Sequence, residues 1–83
     1  MMTTITTKYE TITIDDRIIS DYRRLIEMPS TTEGLDGITI DSCMNNGFQT
    51  AKQHGLNETM NWFTFNEAAI YFTVQTARTY EIV

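Results

Sequence analysis

With one cysteine, one histidine and one proline in 83 residues, several chemistries are closed to this chain from the start. Cys43 has no second thiol to bridge, so no internal disulfide staples the fold, and a small chain without disulfides suits a reducing compartment. A thiolate nucleophile would need His54 as its base. If both sit on one helix they lie about 16 Å apart along its axis, beyond hydrogen-bond reach. Asp41 beside Cys43 also opposes thiolate formation, although the dipole of a first helical turn favours it. A buried, inert thiol is the expectation. His54 alone makes no metal site, since neither it nor Cys43 has a second soft ligand at i+3 or i+4. It is expected instead to meet the free carbonyls at a helix C-terminus. Gly34, Gly37, Gly47 and Gly55 form no phosphate-binding fingerprint. No cofactor and no metal are expected.

Positive charge is scarce as well. Six Lys and Arg face eleven Asp and Glu, giving a net charge of −5. Between Leu25 and Ala77 the cation is Lys52, against Glu27, Glu33, Asp36, Asp41, Glu58 and Glu67. Most of those carboxylates must face water in a domain this small, so much of the exterior is electronegative. Such a surface repels nucleic acid and anionic lipid and favours basic partners. Long apolar runs are absent too: the longest, Ala68 to Phe72, cannot cross a bilayer, and Met1–Lys8 lacks the apolar core of a secretion signal. Asn57-Glu58-Thr59 is formally a glycosylation sequon but has no secretion signal to make it meaningful. The expectation is a soluble, cytoplasmic protein folded as one compact domain over 1–83.

What is present is a globular composition, 41% hydrophobic and 11% aromatic. Residues 3–14 alternate β-branched with polar residues and predict a half-buried strand with Ile12 and Ile14 inward. Asp15-Asp16 supplies an N-cap for a helix from Arg17 to Met28, with Ile18, Ile19, Tyr22, Leu25 and Ile26 on one broad face. Arg17–Asp21 and Arg23–Glu27 fall at i, i+4 on its outer face. Pro29 ends it, and a polar loop runs to Gly37. Ile38–Ile40 reads as a short strand. A second helix, capped by Asp41 or Ser42, runs to His54, with Gly55 as a left-handed terminator before Leu56 and Gly47 as a weak point. Further on, two readings compete. Residues 60–65 and 70–75 have the aromatic and β-branched content of strands, joined across Asn66-Glu67. Thr64-x-x-Glu67 is a capping box that argues for a helix over 65–77. Propensity favours the hairpin, followed by a terminal strand over Arg78–Val83. The predicted fold is α+β, a small mostly antiparallel sheet with two or three helices on one face.

Two motifs bear on function. Asp36-Gly37-Ile38-Thr39-Ile40-Asp41 has the look of a calcium loop but lacks the alternating oxygen ligands and the distal Glu, so it reads as a turn. Gln49–Met60 resembles a helix-turn-helix over about a dozen residues, with Ala51 at the helix crossing, Gly55 in the turn, Leu56 buried and Asn57 capping the second helix. His54, Asn61 and Thr64 depart from the pattern, and that second helix would offer Glu58 and no Arg or Lys to phosphates. The resemblance leaves a DNA-binding regulator as an alternative function.

The acidic surface is the stronger signal. Glu33, Asp36, Asp41, Glu58 and Glu67, with Trp62 and Tyr71 as aromatic anchors, are the candidate partner-binding residues. They suit an Arg/Lys-lined protein surface of a nucleic-acid-handling complex. The expected function is a non-enzymatic inhibitor or decoy for such a surface. Small size and acidic charge make the chain similar in build to phage-encoded anti-restriction and anti-CRISPR proteins, a likeness of class carried by no motif. A further alternative is a homo-oligomerising structural subunit, since the strand-rich ends at 3–14 and 79–83 could pair between copies.

Overall fold

A computed structural model describes residues 2–59 and 61–83, and the chain forms the expected α+β architecture: one two-stranded antiparallel sheet and three α-helices. The order is β1 (Thr3–Thr6), β2 (Thr11–Ile14), α1 (Asp16–Glu27), a short 3₁₀ turn (Leu35–Gly37), α2 (Ile40–Gln53) and α3 (Trp62–Thr79).

The predicted single strand over 3–14 is instead a hairpin. Thr7 breaks it: its N–H donates to the Glu10 carbonyl at 2.8 Å, its hydroxyl donates to the same oxygen, and its Oγ1 accepts from the Glu10 N–H. The register Ile5↔Ile12 and Thr3↔Ile14 keeps the alternation in phase, so Ile5, Ile12 and Ile14 are all buried. β2 packs on α1 and α3, and Ile5 of β1 joins the same core.

α1 begins as expected, with the Asp15 carboxylate accepting from the Ile18 N–H at 3.0 Å. Ile18 and Leu25 are buried, Ile19 and Tyr22 half-buried, and Ile26 exposed, so the apolar stripe is narrower than predicted. The expected i, i+4 pairs do not form among the described residues. Asp21 instead takes Arg24 at 3.4 Å and Arg78 of α3 at 2.8 Å, and Arg17 turns back to Asp15 at 3.6 Å. A carboxylate on the α3 side of α1 gains more from an inter-helix guanidinium than from a neighbour on its own solvated face.

Ile38–Ile40 contributes one bridge, Glu33↔Thr39, rather than a strand. Thr39, not Asp41 or Ser42, caps α2, its hydroxyl oxygen accepting from the Ser42 N–H at 3.1 Å. α2 ends in a Schellman motif as Gly55 predicted. With Gly55 at φ 85°, its N–H reaches the Lys52 carbonyl at 3.0 Å and the Leu56 N–H reaches the Ala51 carbonyl at 3.2 Å.

The hairpin and terminal strand predicted after residue 60 are overturned, and Met60 lies outside the described residues. α3 is one 18-residue helix whose cap is Asn61, accepting from the Thr64 N–H at 3.0 Å, in place of the Thr64–Glu67 box. Its buried positions, Phe65, Ala68, Ala69, Phe72, Thr73, Val74 and Ala77, recur at helical spacing, chiefly against α2 and also against α1 and β2. Thr76 and Thr79 satisfy their hydroxyls by donating to the Phe72 and Gln75 carbonyls one turn back, both at 2.9 Å. Tertiary packing of this stripe outweighs the strand propensity of its β-branched and aromatic residues.

Gly47 proves to be a contact rather than a defect. It is buried at the α2–α3 crossing, where a Cβ would collide with Thr73 Oγ1 and sit 2.7 Å from the Ala69 carbonyl. With Cys43 and Ala51 one turn either side on the same stripe, α2 presents small side chains and lets the helices approach closely. Residues 80–83 form no strand: a second Schellman motif closes α3, with the Ile82 N–H on the Ala77 carbonyl at 2.9 Å and Glu81 at φ 58°.

Candidate functional site

The α2–α3 pair has two ends, and the candidate partner-binding residues divide between them. α2 rises about 20 Å from end to end at 1.5 Å per residue. Glu33, Asp36 and Asp41 stand where α2 begins and α3 stops, while Glu58 and Trp62 stand where α2 stops and α3 begins. Glu67 and Tyr71 are half-buried along α3, Glu67 beside a 330 Å³ groove with Arg23 and Ile70. The Tyr71 hydroxyl accepts from Gln75 Nε2 at 2.8 Å. The seven residues therefore do not form one patch.

The acidic end is held by backbone. The Leu35 N–H donates to the Tyr80 carbonyl at 2.6 Å, and the Gly34 N–H to the Ile38 carbonyl at 2.8 Å. Ile40 and Asp41 N–H groups reach the Thr32 and Ser30 carbonyls at 3.1 and 3.2 Å. At Gly34 a Cβ would strike the Tyr80 carbonyl and come within 2.6 Å of Ile82, so only glycine lets loop and α3 tail meet. The loop tip is a tight turn with Asp36 at φ 59°, a left-handed conformation that a non-glycine residue adopts at a cost. The tip stands out into solvent: Leu35 is 50% exposed, and Glu33, Asp36 and Asp41 are all exposed around it. The docking of the tail brings exposed Glu81 to the same end, a residue that sequence reasoning placed in a strand and did not select. No local signal marks it, because its position depends on the Leu35–Tyr80 hydrogen bond. Arg78, in the last turn of α3, carries its guanidinium to Asp21.

At the other end a side chain adds to the backbone's hold. His54 caps α2 as expected, its Nδ1 2.8 Å from the Thr50 carbonyl, and adds a tie the sequence did not reveal, Nε2 at 3.3 Å from Glu10. The ring lies between Tyr9, edge-on at 5.2 Å, and Phe72 at 4.6 Å, while the Lys8 N–H donates to the His54 carbonyl. His54 thus fastens the hairpin turn to the helical pair. Beyond it Trp62 is 58% exposed and Phe63 78% exposed, side by side in the first turn of α3. Phe63 was not among the residues selected from sequence, where the hairpin reading hid its outward position.

The resemblance to a helix-turn-helix does not hold in three dimensions. Its second helix should begin at Asn57, but α3 begins at Trp62, and the Asn57 carboxamide instead accepts from the Thr59 N–H at 3.0 Å in a local turn. Cys43 is fully buried, and burial pushes its thiol above the usual range. Among the described residues no three His, Cys, Asp or Glu side chains gather as a metal-ligand set, and no helix is long and apolar enough to cross a membrane. The comparisons with protein-family models, curated proteins and solved structures find nothing that matches this chain.

Proposed function

We propose that this chain is a non-enzymatic protein-binding module whose acidic end occupies a basic, nucleic-acid-binding surface of a partner complex and so acts as an inhibitor or decoy. One observation carries the reading: a loop fixed at both flanks by backbone hydrogen bonds that presents Glu33, Asp36 and Asp41 around exposed Leu35. A preorganised tip loses little entropy on docking, and its carboxylates meet Arg and Lys side chains as phosphates would. Leu35 supplies the apolar anchor that charge alone lacks.

The test is affinity capture from host lysate, with the wild-type chain set beside a Glu33→Lys, Asp36→Lys, Asp41→Lys variant. The reading expects a nucleic-acid-handling protein that elutes as salt rises and is absent from the variant's eluate. Retention of the same proteins by both chains would reject it. Capture of nuclease-sensitive DNA in their place would favour the DNA-binding regulator.

A further inference from the structure

We infer that β1 is a dimerisation edge, and that two copies of this chain join β1 to β1 as antiparallel strands, forming a four-stranded sheet across a two-fold axis through Ile5. The inference is independent of what the acidic end binds.

The alternation of an antiparallel ladder decides which backbone groups face outward. Thr7 and Glu10 close the turn with a hydrogen bond, so Ile5↔Ile12 and Thr3↔Ile14 are the hydrogen-bonded pairs, two and four residues along. The N–H and C=O of Ile5 and Thr3 therefore point at β2. Those of Thr4 and Thr6 point away from it. In the two-stranded sheet, β1 has β2 as its one ladder neighbour, and α1 and α3 pack on β2. Thr4 and Thr6 are exposed, and none of the described loops donates to or accepts from their outward groups. The edge is a spaced row of two donors and two acceptors, the pattern that accepts an added strand.

The occupant follows from symmetry and charge. With Ile5 on the two-fold axis, Thr4 of one copy pairs with Thr6 of the other, and Thr6 with Thr4, so all four outward donors find acceptors and the surface is its own complement. Thr–Thr neighbours on the outer face are favourable cross-strand pairs. Thr3-Thr4-Ile5-Thr6 carries no charge, which matters in a chain of net charge −5 whose other surfaces repel a second copy. The pairing stops short of Lys8, whose outward N–H is already taken by the His54 carbonyl at the end of α2. Four residues of pairing is a small interface, so the dimer is weak and appears with concentration.

Sedimentation equilibrium of the whole chain from about 10 μM to about 1 mM tests the inference, read with amide hydrogen exchange at both limits. The expected result is a reversible rise from the 9.6 kDa monomer toward twice that mass. With it, exchange at the Thr4 and Thr6 amides should slow at least threefold, while Thr3 and Ile5 stay unchanged. Thr6→Glu, which adds like charge to the joined strands, should weaken association at least fivefold and leave the circular dichroism spectrum alone. Thr4→Pro should abolish it. A monomer mass throughout overturns the inference. So does a dimer in which the Thr4 and Thr6 amides exchange as in the monomer, because another surface would then be holding it. The exchange readout uses the unaltered chain and stands even if Thr4→Pro disturbs the hairpin.

Discussion

At one end of the α2–α3 pair backbone hydrogen bonds hold the loop; at the other, the His54 side chain adds to the backbone's hold. The acidic loop is pinned by Leu35–Tyr80, Gly34–Ile38, Ile40–Thr32 and Asp41–Ser30 hydrogen bonds, which leaves its side chains free to be chosen for what they present. The aromatic end depends on the His54 ring, wedged between Tyr9, Phe72 and Glu10, with Trp62 and Phe63 beyond it. The lesson is that a loop secured by its main chain can carry an excess of like charge. Repulsion among Glu33, Asp36, Asp41 and Glu81 then works against contacts that do not involve those side chains.

The largest expected difference between the ends is in binding. Reversing Glu33, Asp36 and Asp41 together should cost at least ~100-fold in affinity for the basic partner, since each change replaces an attraction by a repulsion. Trp62→Ala with Phe63→Ala, at the far end, should change it by less than about threefold; titration calorimetry of both variants decides whether the ends act separately. Next comes stability. Gly34→Ala forces the loop off the α3 tail and should cost about 2–3 kcal/mol, as overpacking does. His54→Ala should cost about 1 kcal/mol, the loss of modest hydrogen bonds and ring contacts. Thermal melts should separate the two, with roughly 4–8 °C of Tm for each kcal/mol.

Glu81→Gly sharpens the comparison from the other direction. Glu81 holds the left-handed position that closes α3, so glycine there should stabilise the fold by about 1 kcal/mol in urea denaturation. It should also lower partner affinity slightly by removing one carboxylate from the acidic end. The smallest effect lies at neither end. The Asp15 carboxyl is held below its usual range, first by the Ile18 N–H and then by Arg17. Its contribution is complete above the unfolded value of 3.8 and is lost as pH falls through the lower folded value. Asp15→Asn keeps a capping acceptor and should flatten that acid limb of the stability curve, measured by denaturation between about pH 2 and 5.

Much of this fold is written locally. Asp15 before Ile18, Pro29 after α1, and Gly55-Leu56 after α2 are helix boundaries whose chemistry acts within five residues, and each sits where the sequence places it. α3 is less legible because its decisive term is remote: Ala68, Ala69, Thr73 and Ala77 are weak helix signals until Cys43, Gly47 and Ala51 stand opposite them. The same holds for Gly47, a liability on helix propensity alone and a necessity once α3 crosses it. At the site, the carboxylate excess between Leu25 and Ala77 is plain in composition. Its division into two ends is not, because that follows from the antiparallel run of α2 and α3. Glu81 and Phe63 were hidden for the same reason: each was assigned to a strand, where its exposure and neighbours would differ.

The most direct measurement of the central claim is competition on the recovered partner. Labelled nucleic acid bound to that protein would be titrated with the wild-type chain and with the Glu33→Lys, Asp36→Lys, Asp41→Lys variant at ~0.1 M salt, where screening reaches about 10 Å. The account predicts that the wild-type chain displaces the nucleic acid stoichiometrically and that the variant leaves it bound. A ternary complex of partner, nucleic acid and wild-type chain would contradict it.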